Sequence, residues 1–186
     1  RAQLRGSATG EPAAVFRAEL RFVPGAAPRE APAPAAALRV QRELHSVRIR
    51  EEHEQRRWER APVRAAAPRG DPIVAVLTFT AAREIAHLVV EDFLPAGAVP
   101  VEPGEACASL GALPLPEGAR IRVEDGRVCL TLSALRGGVT RIEHAYRPGF
   151  SGAFRLPPAT ARPALVPAPR AASAADDLIV EGGEER

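Results

Sequence analysis

Apolar and polar residues alternate over short stretches of this chain, and Pro and Gly cut the stretches apart. Phe16, Ala18, Leu20 and Phe22 share one parity, with Arg17, Glu19 and Arg21 between them. Period two with polar partners predicts a half-buried strand, and Pro24-Gly25 ends it. Residues 24–37 carry Pro at 24, 28, 32 and 34 and read as a loop of polyproline character. In the next segment Leu38, Val40 and Leu44 fall on one parity and Val47 and Ile49 on the other, which reads as a strand with a slip near Ser46. The run EEHEQRRWER that follows is rich in helix formers and close Glu/Arg pairs. Its one large apolar residue is Trp58, so a helix there would have no stripe to bury. The pattern predicts a strand over 38–50, then an exposed excursion to about residue 68.

Beyond Gly70-Asp71-Pro72, a turn by composition, the alternation sharpens. Ile73 to Thr80 places Ile73, Ala75, Leu77 and Phe79 on one face, and Ile85 to Asp92 gives a further strand stopped by Leu94-Pro95-Ala96-Gly97. Residues 98–119 are rich in Pro and Gly. Arg120–Glu124 and Arg127–Leu132 flank Asp125-Gly126, a hairpin signature. Val139, Ile142, Ala145 and Tyr146 follow Gly137-Gly138, and Gly152–Leu156 is a short strand closed by Pro157-Pro158. About eight short strands with no substantial helix predict an all-β fold, an antiparallel β-sandwich. The expected organisation is a linker or incoming strand over 1–13, the sandwich over 14–160, and an extended tail over 161–186 with a last strand near 177–181.

Composition changes this picture little. All 25 residues in the Lys+Arg class are Arg, against 23 Asp and Glu, and the net charge of +2 gives no reason to expect a nucleic-acid partner. Between residues 48 and 60 five Arg are interleaved with four Glu, a charge-balanced solvated face rather than a phosphate-binding one. The apolar content, diluted by Ala, suffices for one domain of about 120–150 residues. No run reaches the roughly 18 apolar residues of a membrane span. The chain contains no Met and opens at Arg1, which marks it as an expected piece of something longer.

A search for chemistry finds no assembled site. His53-Glu54 begins like a zinc-protease helix, but Arg57 stands where the second His must lie. His45, His53, His87 and His144 make no metal spacing with Cys107 or Cys129. Gly149-Phe150-Ser151-Gly152 is one residue short of a nucleophile elbow. Neither an enzyme nor a cofactor is therefore expected. Cys107 and Cys129 are either incidental or, in an exported domain, the ends of a disulfide across the loop before the hairpin. Cys129 shares its strand face with Arg127 and Thr131, opposite Val128, Leu130 and Leu132.

The punctuation is more informative. The series runs through Gly70-Asp71, Asp92-Phe93-Leu94-Pro95-Ala96-Gly97, Asp125-Gly126, Tyr146-Arg147-Pro148-Gly149 and Gly152-Ala153-Phe154-Arg155-Leu156-Pro157-Pro158. In order and spacing it resembles the C-terminal domain of bacterial alpha-2-macroglobulins, over about residues 10 to 180. Physically these are architectural signals: Asp92 ends a strand, Pro95 blocks a ladder, Gly97 permits a positive φ, and Pro157-Pro158 stiffens the exit. The resemblance implies a macroglobulin or Ig-like sandwich that is a non-catalytic part of a large exported protease trap, an endopeptidase inhibitor. Its implied location is periplasmic or extracellular, with any membrane anchor in a missing N-terminal part. The implied partners are other domains of the parent, a thioester-bearing one among them, and target proteases through the parent. The thioester signature Cys-x-Glu-Gln is not here, since Cys107 is followed by Ala-Ser-Leu and Cys129 by Leu-Thr-Leu. Family members often carry Met-Tyr after the Pro-Pro exit, whereas here Ala164-Leu165-Val166 precede Pro167. The alternative reading is an Ig-like repeat of a bacterial surface or adhesion protein.

Overall fold

The computed structural model describes residues 37–52, 55–102, 110–124, 126–165 and 170–182, with the backbone alone over the strand residues between 49 and 57. The strand expected over 16–22, the linker before it, most of the Pro-rich loop after it, and Cys107 lie outside these residues. Among the described residues there are thirteen strands and no helix, an all-β fold in three sheets. The first sheet runs β2 (Gln55–Pro62), β1 (Leu38–Glu52), β4 (Ile73–Ala81), β9 (Gly138–Arg147) and β6 (Val99–Val101). The second runs β12 (Ala171–Ala172), β11 (Thr160–Pro163), β5 (Ile85–Phe93), β8 (Arg127–Leu135) and β7 (Ala119–Glu124). Both are antiparallel throughout. The third has β13 (Asp176–Glu181) between β10 (Gly152–Leu156), antiparallel to it, and β3 (Ala66–Pro68), parallel to it.

The first two sheets form the sandwich. Leu38, Val40, Leu77, Phe79 and Ile142 of the first meet Leu88, Val90, Leu130 and Leu132 of the second in one apolar cluster. Each large side chain fully buried there contributes about 1.5–3 kcal/mol. The third sheet closes one end, where Leu156, Leu178 and Val180 pack with Ile73, Tyr146 and Val128. Strand β4 is central in its sheet and buried on both faces. Ile73, Ala75, Leu77 and Phe79 point inward, while Val74 and Val76 lie beneath Leu110 and Ala112.

Two expectations need correction. Strand β1 has no slip, because its register with β4 runs unbroken from Leu38↔Ala81 to Ser46↔Ile73. The apolar residues change face instead: Val47 turns outward and is buried with Val74, Val76 and Leu110. The excursion after residue 50 is also a regular strand, since β2 folds back on β1 from Glu52↔Gln55 to His45↔Pro62. An edge strand is held by main-chain hydrogen bonds and needs no apolar stripe, so its polar composition was uninformative. The strands beyond the expected eight are mostly the short β3, β6, β11 and β12, of 3, 3, 4 and 2 residues. Runs so short leave no alternation to read.

Candidate functional site

The residues singled out by the sequence occupy two turns and the cores that flank them. Gly70, at φ +83°, ends the link from β3 and donates its N–H to Pro148 O at 3.0 Å, while Arg147 Nη1 donates to Gly70 O at 3.0 Å. Asp71 is half-buried beside it. In the turn after β5, Leu94 is buried and its N–H donates to Gly126 O at 2.8 Å; Ala98 N–H then closes back on Pro95 O at 3.0 Å. Ala96 is exposed at the tip, and Gly97 takes φ +72°. A Cβ on Gly97 would overlap the Phe150 ring, and one on Gly149 would lie 2.5 Å from Gly97 O. The turns at 94–97 and 148–151 are thus stacked, and glycine is required on both sides. Gly152 opens β10, Phe154 packs against the third sheet's apolar cluster, and Pro157 and Pro158 are half-buried in the exit from β10.

Asp92 does more than end a strand. Strand β5 continues to Phe93, and the Asp92 side chain, 3% exposed, points into the space where the three sheets meet. Arg42 of β1 donates from Nη1 to Asp92 Oδ1 at 2.5 Å and from Nε to Asp176 Oδ2 of β13 at 2.7 Å. His144 of β9 lies with Nε2 at 2.8 Å from Asp92 Oδ2. The Arg42, Asp92 and His144 side chains are 1%, 3% and 5% exposed, whereas Asp176 is 33% exposed. Tyr146 stands two residues beyond His144, its ring centroid 6.3 Å from the imidazole, and Tyr146 Oη and His144 Nδ1 have no hydrogen-bond partner among the described residues. One guanidinium therefore serves two carboxylates, and one carboxylate serves a guanidinium and an imidazole.

Burial raises the cost of every charge in this cluster, and its members offset that cost for one another. Burial alone would push the Asp92 carboxyl up, but His144 and Arg42 outweigh it and hold Asp92 below the usual carboxylate range. Desolvation likewise opposes the Arg42 charge, and Asp92 and Asp176 together overcome it, so its proton is held more tightly than usual. The Tyr146 phenol is pushed up by burial and further by Asp92. A His–carboxylate pair can do acid–base chemistry only where a reactant can reach it. This one is enclosed and capped by Arg42, and its geometry joins sheets.

A second ion pair spans the outer face of the first sheet, from β2 across β1 and β4 to β9. Arg60 of β2 forks onto Glu143 of β9 at 2.9 and 3.1 Å, and also donates to Gly111 O at 3.0 Å. Leu113 N–H donates to the same carboxylate at 2.9 Å, which pins the 110–113 segment over Val74 and Val76. Arg60 thus departs from the charge-balanced solvated face expected over 48–60. Cys129 carries its thiol half-buried on the outer face of β8, and Cys107, the other end of the possible disulfide, lies outside the described residues. Burial pushes that thiol up.

The turn pattern of the sequence points to Asp92, and His144 enters only as a histidine without metal spacing; nothing there singles out Arg42 or Asp176. The signal was parity. Arg42 continues the face of Leu38 and Val40, His144 that of Ile142, and Asp176 that of Leu178 and Val180. Alternation of apolar residues by itself does not mark a charged residue at an inward position.

Residues 38–167 match the family model described as the bacterial alpha-2-macroglobulin MG10 domain. Solved structures agree in fold. Escherichia coli alpha-2-macroglobulin activated by porcine elastase superposes with a TM-score of 0.63 at 21% identity, covering 85% of this chain and 14% of that one. A mutant of Salmonella alpha-2-macroglobulin gives 0.60 at 20% identity, covering 84% and 10%. The native Escherichia coli protein from domain MG7 to its C-terminus gives 0.59 at 22% identity, covering 83% and 25%. The chain thus spans between a tenth and a quarter of these relatives. Among curated proteins, none matches. With the family match extending from β1 past β11, the chain belongs to the bacterial alpha-2-macroglobulin MG10 domain family.

Proposed function

We propose that this chain is the non-catalytic C-terminal structural domain of a bacterial alpha-2-macroglobulin-like endopeptidase inhibitor, a protease trap. The observation that carries this reading is the family match over residues 38–167. Two features support a structural role. The three sheets are fastened by a buried charge cluster, and the sequence-predicted turns are built for close packing, with Gly97 and Gly149 against the opposing turn. The domain's partners are other domains of the parent chain, a thioester-bearing one among them, and proteases are met through the parent. The parent is exported, to the periplasm or the extracellular space.

The test uses the full-length gene product with trypsin. A trap shields large substrates from the captured protease while its active site stays open to small ones. Casein cleavage is expected to fall at least about tenfold, with hydrolysis of a small chromogenic peptide retained. Equal loss of both activities, or loss of neither, overturns the reading. The 186-residue chain alone is expected to hydrolyse neither substrate.

A further inference from the structure

The chain crosses between the second and third sheets twice at one place. Residues 157–159 carry it from β10 to β11, and residues 173–175 return it from β12 to β13. The two connectors are tied to each other. Ser173 N–H donates to Ala159 O at 2.8 Å, and Ala159 N–H donates to Ser173 Oγ at 2.9 Å. Ala159 and Ser173 are 0% and 1% exposed, so this double crossing is enclosed.

Arg42 lies beside it and reaches three of the strands around it. Its Nε holds Asp176 at the start of β13, its Nη2 approaches Leu156 O at the end of β10 at 3.4 Å, and its Nη1 holds Asp92 on β5. Arg42 itself belongs to β1, so a single guanidinium joins all three sheets. The far end of the third sheet is held differently. Leu178 and Val180 are buried in an apolar cluster, and Arg69 N–H donates to Glu181 O at 2.9 Å. Beside Asp176 there is a cavity of about 350 Å3, bordered by Arg42, Glu43, Leu44, Val63 and Asp177, through which solvent reaches the carboxylate.

We propose that this arrangement is an acid-released hinge: Arg42 is the pin that fixes the third sheet against the second, and discharging Asp92 frees the double crossing while the apolar clusters keep the rest of the sandwich folded. The proposal stands apart from the protease-trap reading. The charged and titratable groups facing Asp92 are Arg42 of β1 and His144 and Tyr146 of β9. Those around Asp176 are Arg42 and Tyr146, with Glu43 and Asp177 on the cavity and Arg155 paired across the strands with Asp177. Arg42 holds one of these two carboxylates with Nη1 and the other with Nε, so removing either charge unbalances the pin.

The direction with pH follows from linkage. A carboxyl held below its ordinary value contributes stability that is complete above its unfolded value of about 3.9 and is lost as pH falls through the lower folded value. Asp92 is such a group. Release is therefore expected below about pH 4 and not near neutrality.

Amide hydrogen exchange of the 186-residue chain between about pH 7 and pH 3 tests the hinge, with protection corrected for intrinsic rates. Peptides covering 155–162 and 171–178 are expected to lose several-fold more protection at the acid end than a peptide covering β4, up to the roughly ninefold that one carboxyl with an unfolded value of about 3.9 allows at pH 3. Asp176→Asn is expected to produce the same regional loss at neutral pH. Uniform loss across both regions, or crossing peptides as protected in acid as at neutrality, overturns the proposal. If the variant does not fold, the wild-type pH series decides alone.

Discussion

On the inward face of β1, Leu38 and Val40 point into apolar side chains, and two residues further along Arg42 points into charges. The same change occurs along β5 from Val90 to Asp92 and along β9 from Ile142 to His144. One set of strands therefore crosses two kinds of interior. In the apolar half the cohesion is non-directional and follows the area removed from water. In the charged half, distances of 2.5 to 2.8 Å between particular atoms hold the sheets, and each group is costly to leave alone. The apolar half makes the sandwich stable. The charged half sets how the third sheet joins it, because a guanidinium has few directions in which to donate.

The largest effect is expected where a charge is left behind. Arg42→Met keeps the volume but strands Asp92 without its guanidinium, and should cost about 3–5 kcal/mol in urea denaturation. A loss below about 1 kcal/mol would show that the cluster holds nothing. A smaller change is expected when both charges go. Adding Asp92→Leu to Arg42→Met should recover at least about half of that loss, because the orphaned anion is gone and Asp176 turns to solvent. Additive losses would mean that packing, and not charge, was being measured. The smallest belongs to the apolar half, where Leu77→Met should cost less than about 1.5 kcal/mol in the same assay. If it equals Arg42→Met, the contrast between the two interiors fails.

Much of the fold was legible in period-two patterning. The face carrying Ile73, Ala75, Leu77 and Phe79, the hairpin around Gly126, and the stop at Leu94–Gly97 all follow from local rules of alternation and turn chemistry. Strand β2 was less legible, since an edge strand rich in Arg and Glu satisfies its backbone against a neighbour and leaves no apolar signature. Val47 looks like a slip of the strand in the sequence, but a residue turned outward can still be buried when a distant segment, here 110–113, folds over it.

Sequence alone determined an all-β chain whose strands alternate and whose turns demand glycine, because those are properties of a few adjacent residues. It also carried enough punctuation to point to the macroglobulin family. The meeting of Arg42, Asp92, His144 and Asp176 was decided only by the tertiary structure. These residues lie 50 to 134 positions from Arg42 to its carboxylate partners and 52 from Asp92 to His144. Strand parity says that each points inward, and only the stacking and crossing of three sheets says that they point at one another.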